Sequence, residues 1–220
     1  MRKRCEMIYK NLLFDLDGTV MDSGEGIMES AQYALDHFGF KNEPTATLRK
    51  FVGPSLFYSF THLYGLGDED AKKAVQLYRN VYESGNKFHA TPYDGIEDAL
   101  RELKDMGYDI ILVTSKPHIF AKQILEHFNL AKYFSNVVGP EMADSSSDKA
   151  RLINKAINEM NLSKELTIMI GDTRFDIEGA LDSGIDSIGV TYGYGPKEDL
   201  GKATYIVDSV QELKNMFSFR

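Results

Sequence analysis

Asp15-Leu16-Asp17-Gly18-Thr19-Val20-Met21-Asp22-Ser23 is the stretch from which the rest of this chain can be read. It follows the apolar run Leu12-Leu13-Phe14, which reads as a buried strand, so Asp15 stands where that strand ends. Residues two apart on an extended chain point the same way. Asp15 and Asp17 are therefore expected to converge on one reacting atom while Leu16 turns into the core, and Gly18 lets the backbone turn sharply away. Two carboxylates at one strand end are costly unless a cation neutralises them, or one is protonated and used in that form. Both possibilities point to chemistry.

Beyond Ser23 the pattern changes from strand to helix. Ile27, Met28, Ala31, Ala34, Leu35 and Phe38 fall at helical spacing, as do Ala71, Ala74, Val75, Tyr78, Val81 and Tyr82. Pro44 opens a further helix and Gly53-Pro54 breaks the next. No strand is expected from Ser23 to Ala90, so residues 23–90 read as an all-helical insertion. From Pro92 the chain alternates. Helices are expected over Ile96–Met106, Phe120–Phe128, Lys149–Met160 and Ile177–Asp182, with one more at the end. Strands are expected at Ile110–Val113, Val137-Val138, Thr167–Ile170, Ser187–Val190 and Tyr205–Val207. Such alternation predicts an α/β fold, a doubly wound parallel sheet with helices on both faces. In such sheets ligands bind beyond the carboxyl ends of the strands.

The other strand ends carry matching residues. Ile110–Val113 runs into Thr114-Ser115-Lys116-Pro117, a hydroxyl pair at a helix start, where exposed amides bind phosphate well. Thr167–Ile170 runs into Gly171-Asp172-Thr173-Arg174-Phe175-Asp176, which adds two carboxylates to the same edge. Lys149 opens the helix between these strands and is the natural cation for the site. Asp15, Asp17, Asp172 and Asp176 beside one lysine and a hydroxyl make a hard, oxygen-rich set, which suits Mg²⁺. Together the parts describe phosphoryl transfer: a carboxylate attacks phosphorus, metal and lysine bind the equatorial oxygens, and a second acid protonates the leaving group. Asp172 and Asp176 would also suit plain helix caps, and Thr114 a plain turn. Arg49, Lys50 and Ser55 in the helical block are as compatible with a solvated face as with substrate contact. Tyr192-Gly193-Tyr194-Gly195 reads as a turn at the rim.

Composition narrows the partners. The 220 residues suffice for one well-buried core with a small second lobe, and they are 43% apolar and 26% charged. The formal net charge of −8 disfavours a nucleic-acid polymer or an anionic membrane. The basic run Arg2-Lys3-Arg4 is short, and the single Cys5 cannot form an internal disulfide, which fits a reducing compartment. No apolar run has the length of a signal peptide or a membrane span, so the expectation is a soluble cytoplasmic protein, monomeric or dimeric.

At this point the residues resemble a known family, the haloacid dehalogenase-like phosphatases. The resemblance covers nearly the whole chain, since all four signature motifs appear in order. It implies a Rossmann-like catalytic core from residues 1–22 and 91–220, with a helical cap over 23–90. It further implies Asp15 as nucleophile and Asp17 as general acid and base. Thr114, Ser115 and Lys149 would hold the phosphate, with Lys155 the substitute lysine. Asp172 would be a direct Mg²⁺ ligand beside Asp15, with Asp17 contributing its backbone carbonyl. Asp176 would act through metal-bound water or by orienting Lys149. Gly53-Pro54-Ser55-Leu56, Thr114-Ser115-Lys116-Pro117 and Tyr192–Gly195 look most like the phosphoglycolate phosphatase and 5′-nucleotidase branch.

The implied activity is Mg²⁺-dependent hydrolysis of a small phosphomonoester, a nucleoside 5′-monophosphate or 2-phosphoglycolate, through an aspartyl phosphate. A phosphomutase of the beta-phosphoglucomutase type would use the same residues. A dehalogenase is disfavoured because those enzymes lack the second aspartate, here Asp17. A phospho-accepting signalling domain shares the residue types, but it would lack the helical insertion after the first strand.

Overall fold

The computed structural model describes residues 8–142, 144 and 148–217. The readings of Arg2-Lys3-Arg4 and Cys5 lie outside the described residues. In chain order the strands are β1 (Asn11–Phe14), β2 (Met21–Asp22), β3 (Thr91–Pro92), β4 (Asp109–Val113), β5 (Asn136–Val138), β6 (Thr167–Gly171), β7 (Asp186–Val190) and β8 (Tyr205–Val207). The helices are α1 (Gly24–Asp36), α2 (Thr45–Leu48), α3 (Leu56–Tyr64), α4 (Asp68–Ser84), α5 (Ile96–Asp105), α6 (His118–His127), α7 (Lys149–Glu159), α8 (Arg174–Ser183) and α9 (Val210–Phe217).

Six strands form one parallel sheet in the order β5-β4-β1-β6-β7-β8. The chain builds outward from β1 in one direction and then returns to build in the other. The ends of β1, β4 and β6 therefore lie side by side, at the place where such a sheet binds ligands. β1 shows why its run is wholly apolar: Leu12, Leu13 and Phe14 are all fully buried. Leu12 and Phe14 pack on one face with Leu100, Ile124 and Leu213, while Leu13 packs on the other with Ile153, Ala156 and Ala180. A strand covered on both faces has no polar side to alternate with.

α1 to α4 all fall between β2 and β3. α3 is capped by Ser55, whose hydroxyl accepts from the Tyr58 N–H at 3.2 Å, and it ends on Gly65 in the left-handed region (φ 65°). α4 carries Asp68, Glu69 and Asp70 in its first turn, where the helix dipole favours acids. Its buried stripe is Ala71, Ala74, Tyr78 and Tyr82.

Two features differ from the sequence expectation. β2 and β3 pair antiparallel through Met21 with Pro92 and Asp22 with Thr91, so a two-residue ladder joins the ends of the helical block. Two residues are too few for a period to show. α8 starts at Arg174 rather than Ile177, which puts Asp176 inside its first turn. Among the described residues no helix is long and apolar enough to cross a membrane.

Candidate active site

Asp15 and Asp17 leave the end of β1 and both are buried. The turn that follows needs glycine at position 18, where φ is 85°. A Cβ there would also stand 2.2 Å from Oδ2 of Asp172. One residue thus lets the β1 and β6 ends approach each other.

Lys149, in the first turn of α7, is buried between the two carboxylate groups. Its Nζ lies 2.9 Å from Oδ1 of Asp15 and 2.7 Å from Oδ1 of Asp176, and it donates to the Val113 carbonyl at 3.2 Å. Burial opposes the charge on Lys149, but Asp15 and Asp176 outweigh it and raise the lysine above its ordinary pKa. Lys155, the substitute lysine, is instead exposed and faces Glu159 at 4.0 Å. Asp176 does two jobs. Its Oδ2 accepts from the N–H and hydroxyl of Thr173 at 3.1 and 2.8 Å, capping α8, while Oδ1 faces the lysine.

Asp172 is fully buried and held from three sides. The Thr19 hydroxyl donates to Oδ1 at 3.2 Å, and the backbone N–H groups of Tyr194 and Gly195 donate to Oδ2 at 2.7 and 3.3 Å. The Tyr192–Gly195 rim turn is therefore a source of donors to the site, a role that no side-chain pattern could announce.

Asp15, Asp172 and Asp176 each offer an oxygen, and these oxygens lie within 4.8 Å of one another. Burial raises Asp15 to about 7; the attraction of Lys149 works against it, and repulsion from Asp176 and Asp17 adds to it. Burial and the charges of Asp176 and Asp15 raise Asp172 to about 8, against the pull of the two rim N–H groups. Oδ1 of Asp15 and Oδ1 of Asp176 receive no aligned hydrogen bond despite their closeness to Lys149. Three clustered buried acids, two of them on one lysine, are short of positive charge, and an all-oxygen donor set of this kind fits a hard divalent cation.

Asp17 stands apart from that triad. Ser23 donates to its Oδ1 at 2.6 Å, and Lys116 Nζ lies 3.0 Å from its Oδ2. The same ammonium donates to the Tyr82 hydroxyl from α4 and lies 4.5 Å from the Tyr82 ring centre. Lys116 was missed as a site residue by sequence reasoning. The available signal was its place inside Thr114-Ser115-Lys116-Pro117, whose hydroxyls were singled out.

Thr114 is buried and its hydroxyl accepts from the Lys116 N–H at 3.2 Å. Ser115 lines a cleft of about 370 Å³ together with Lys149, Pro54, Tyr58 and Phe175. Arg49 is turned to the rim. It donates to the Gly193 carbonyl at 3.0 Å and lies 4.4 Å from the Tyr194 ring centre. Tyr194 in turn bonds Asp22 through its hydroxyl, which also accepts from the Gly24 N–H at 3.0 Å.

Residues 12–190 match the haloacid dehalogenase-like hydrolase family. A 5′-nucleotidase of Pseudomonas aeruginosa is 36% identical over 192 residues, covering 87% of each chain. A phosphoglycolate phosphatase of Vibrio cholerae is 31% identical over 214 residues, covering 93% of this chain and 95% of its own. A predicted phosphatase from Clostridium acetobutylicum, of known crystal structure, superimposes with a TM-score of 0.92 at 45% identity, covering 94% of this chain and 97% of that one. Motif order, sheet topology and these likenesses agree: the chain belongs to the haloacid dehalogenase-like hydrolase family and is a phosphatase of that family.

Proposed function

We propose that the protein hydrolyses a small-molecule phosphomonoester through a phosphate ester on Asp15, with Mg²⁺ at Asp15, Asp172 and Asp176. The observation that carries this reading is the buried three-carboxylate cluster against Lys149 at the carboxyl end of the sheet. Magnesium there would supply charge neutralisation for the phosphoryl oxygens. Asp17, whose side chain is turned away from the triad, would contribute to that ion only through its backbone carbonyl.

In the first step an oxygen of Asp15 forms a bond to phosphorus while the ester P–O bond breaks, and the departing oxygen takes the proton of Asp17. Lys149 and the Thr114–Ser115 turn face the phosphoryl oxygens. In the second step a water oxygen bonds to phosphorus, its proton passes to Asp17, and the bond to Asp15 breaks, releasing inorganic phosphate. Residues 23–90 act as a cap that excludes bulk water from both steps, with the β2–β3 ladder as its attachment. A nucleoside 5′-monophosphate and 2-phosphoglycolate are the two substrate classes to weigh, by likeness to the named relatives. A cytoplasmic setting and a monomer go with this reading.

Phosphate release with and without Mg²⁺, across nucleotides, phosphoglycolate and sugar phosphates, tests it. Magnesium-dependent release is expected. Conversion of a hexose 1-phosphate to the 6-phosphate without release would replace it with a mutase.

A further inference from the structure

Asp17 borders a cavity of about 50 Å³ with Ser115 and Lys116 on the sheet side and Leu56, Tyr78 and Arg79 reaching in from α3 and α4. The proposed proton donor lies here, and not in the larger cleft beside Lys149. On the phosphatase reading, the leaving group meets this cavity where Asp17 borders it. One water needs at least about 10–15 Å³, so the space beside Asp17 suits a small leaving group. Arg79 also lines a separate outer groove of about 420 Å³. Its Nη1 donates to the Met142 carbonyl at 2.6 Å, which holds the side chain between the two spaces.

Arg79 is the open cation of this cavity. The Lys116 ammonium is already shared between Asp17 and Tyr82. Among the described residues the ion-paired arginines are Arg101 and Arg151, not Arg79. Arg79 Nε is buried with no hydrogen-bond partner. Burial lowers the Arg79 pKa from its ordinary value, with only Tyr78 acting the other way. A buried, charged donor without an acceptor costs stability that a bound anion would recover.

We propose that this cavity is the leaving-group subsite and that Arg79 reads a carboxylate on a leaving group of two or three carbons. The substrate class is then the phosphate esters of small hydroxy acids. 2-Phosphoglycolate meets both conditions, whereas a nucleoside carries no carboxylate for Arg79 to read. This rests on the phosphatase reading above and chooses between its two substrate classes.

The test is steady-state kinetics in Mg²⁺ with 2-phosphoglycolate, ethyl phosphate (the same two carbons without the carboxylate) and uridine 5′-monophosphate. Wild type is expected to prefer 2-phosphoglycolate over ethyl phosphate by about 10- to 100-fold in kcat/KM, the scale of one charged hydrogen bond. Uridine monophosphate should come last. Arg79→Leu should collapse that preference toward unity, chiefly through KM, and Arg79→Lys should restore part of it. Equal use of the two small esters by wild type, preference for the nucleotide, or an unchanged preference in Arg79→Leu would overturn the proposal. The wild-type comparison decides even where Arg79→Leu fails to fold. Hydrolysis without charge preference defeats this inference alone, while no hydrolysis of any ester defeats the phosphatase reading with it.

Discussion

At the sheet edge the three clustered carboxylates and their lysine are delivered by strand ends or by the first turn of a helix. Asp15 follows β1, Asp172 follows β6, and Lys149 and Asp176 open α7 and α8. In the helical block the groups that meet the core come from the body of α4: Tyr78 and Arg79 line the cavity beside Asp17, and Tyr82 bonds Lys116. The first set is positioned by backbone that the whole core holds rigid. The second is positioned by long side chains reaching across to the core, as in Arg79 to Met142 and Tyr82 to Lys116. The difference assigns chemistry to the edge and selectivity to the helices above it. Substitutions at the edge should abolish turnover or unbalance the core, and those above it should tune.

Asp15→Asn gives the largest expected effect, a fall in kcat of about 10⁴-fold or more with unchanged circular dichroism. Near-normal turnover would break the comparison at its strongest point. Lys149→Met comes next, because it strands Asp15 and Asp176 as buried, unpaired acids. About 3–5 kcal/mol of stability should be lost, measured by urea unfolding in the absence of metal.

A pH effect follows from the same crowding. Asp15 and Asp172 stand at about 7 and about 8 in the folded protein, above the ordinary carboxylate value near 4. Their folded forms bind more protons than the unfolded chain between those limits. The contribution of these two groups to metal-free stability is thus fully present below about pH 4 and is lost as pH rises to about 8. Mg²⁺ should raise the melting temperature more at pH 8.5 than at pH 5.5, since binding it displaces protons. An equal rise at both values would mean that the ion does not meet these carboxylates.

At the edge but outside the triad, Lys116→Met should lower kcat by about 10- to 100-fold without weakening magnesium binding, because Lys116 touches Asp17 and not the triad. Arg49→Ala should matter least, with kcat/KM changing by less than about 5-fold, the worth of one cation–π contact at a rim. A larger loss there would return Arg49 to direct substrate contact.

The same contrast explains what could be read from the chain itself. Asp15 and Asp17 were legible because a strand has a period of two and a glycine follows, and Asp172 because it ends an apolar run. Lys149 was legible only by its place at a helix start between two such strands. Lys116 was not, since its partners Asp17 and Tyr82 lie far off in sequence. Tyr78 and Tyr82 were read as an apolar stripe, which they are, and nothing in that period announces a neighbouring arginine set between two cavities. For Arg49 the sequence leaves substrate contact and a solvated face equally open; its place on Gly193 and Tyr194 is a long-range pairing. The rim donors to Asp172 are backbone N–H groups, which leave no trace in residue type.

The most direct test is to quench the enzyme with acid during turnover of a ³²P-labelled ester and to locate the label by peptide mass spectrometry. The expected result is a single acyl phosphate on Asp15, formed only with magnesium and absent from Asp15→Asn. Phosphate carried by Asp17, Asp172 or Asp176, or rapid turnover with no protein-bound phosphate at all, would contradict the account.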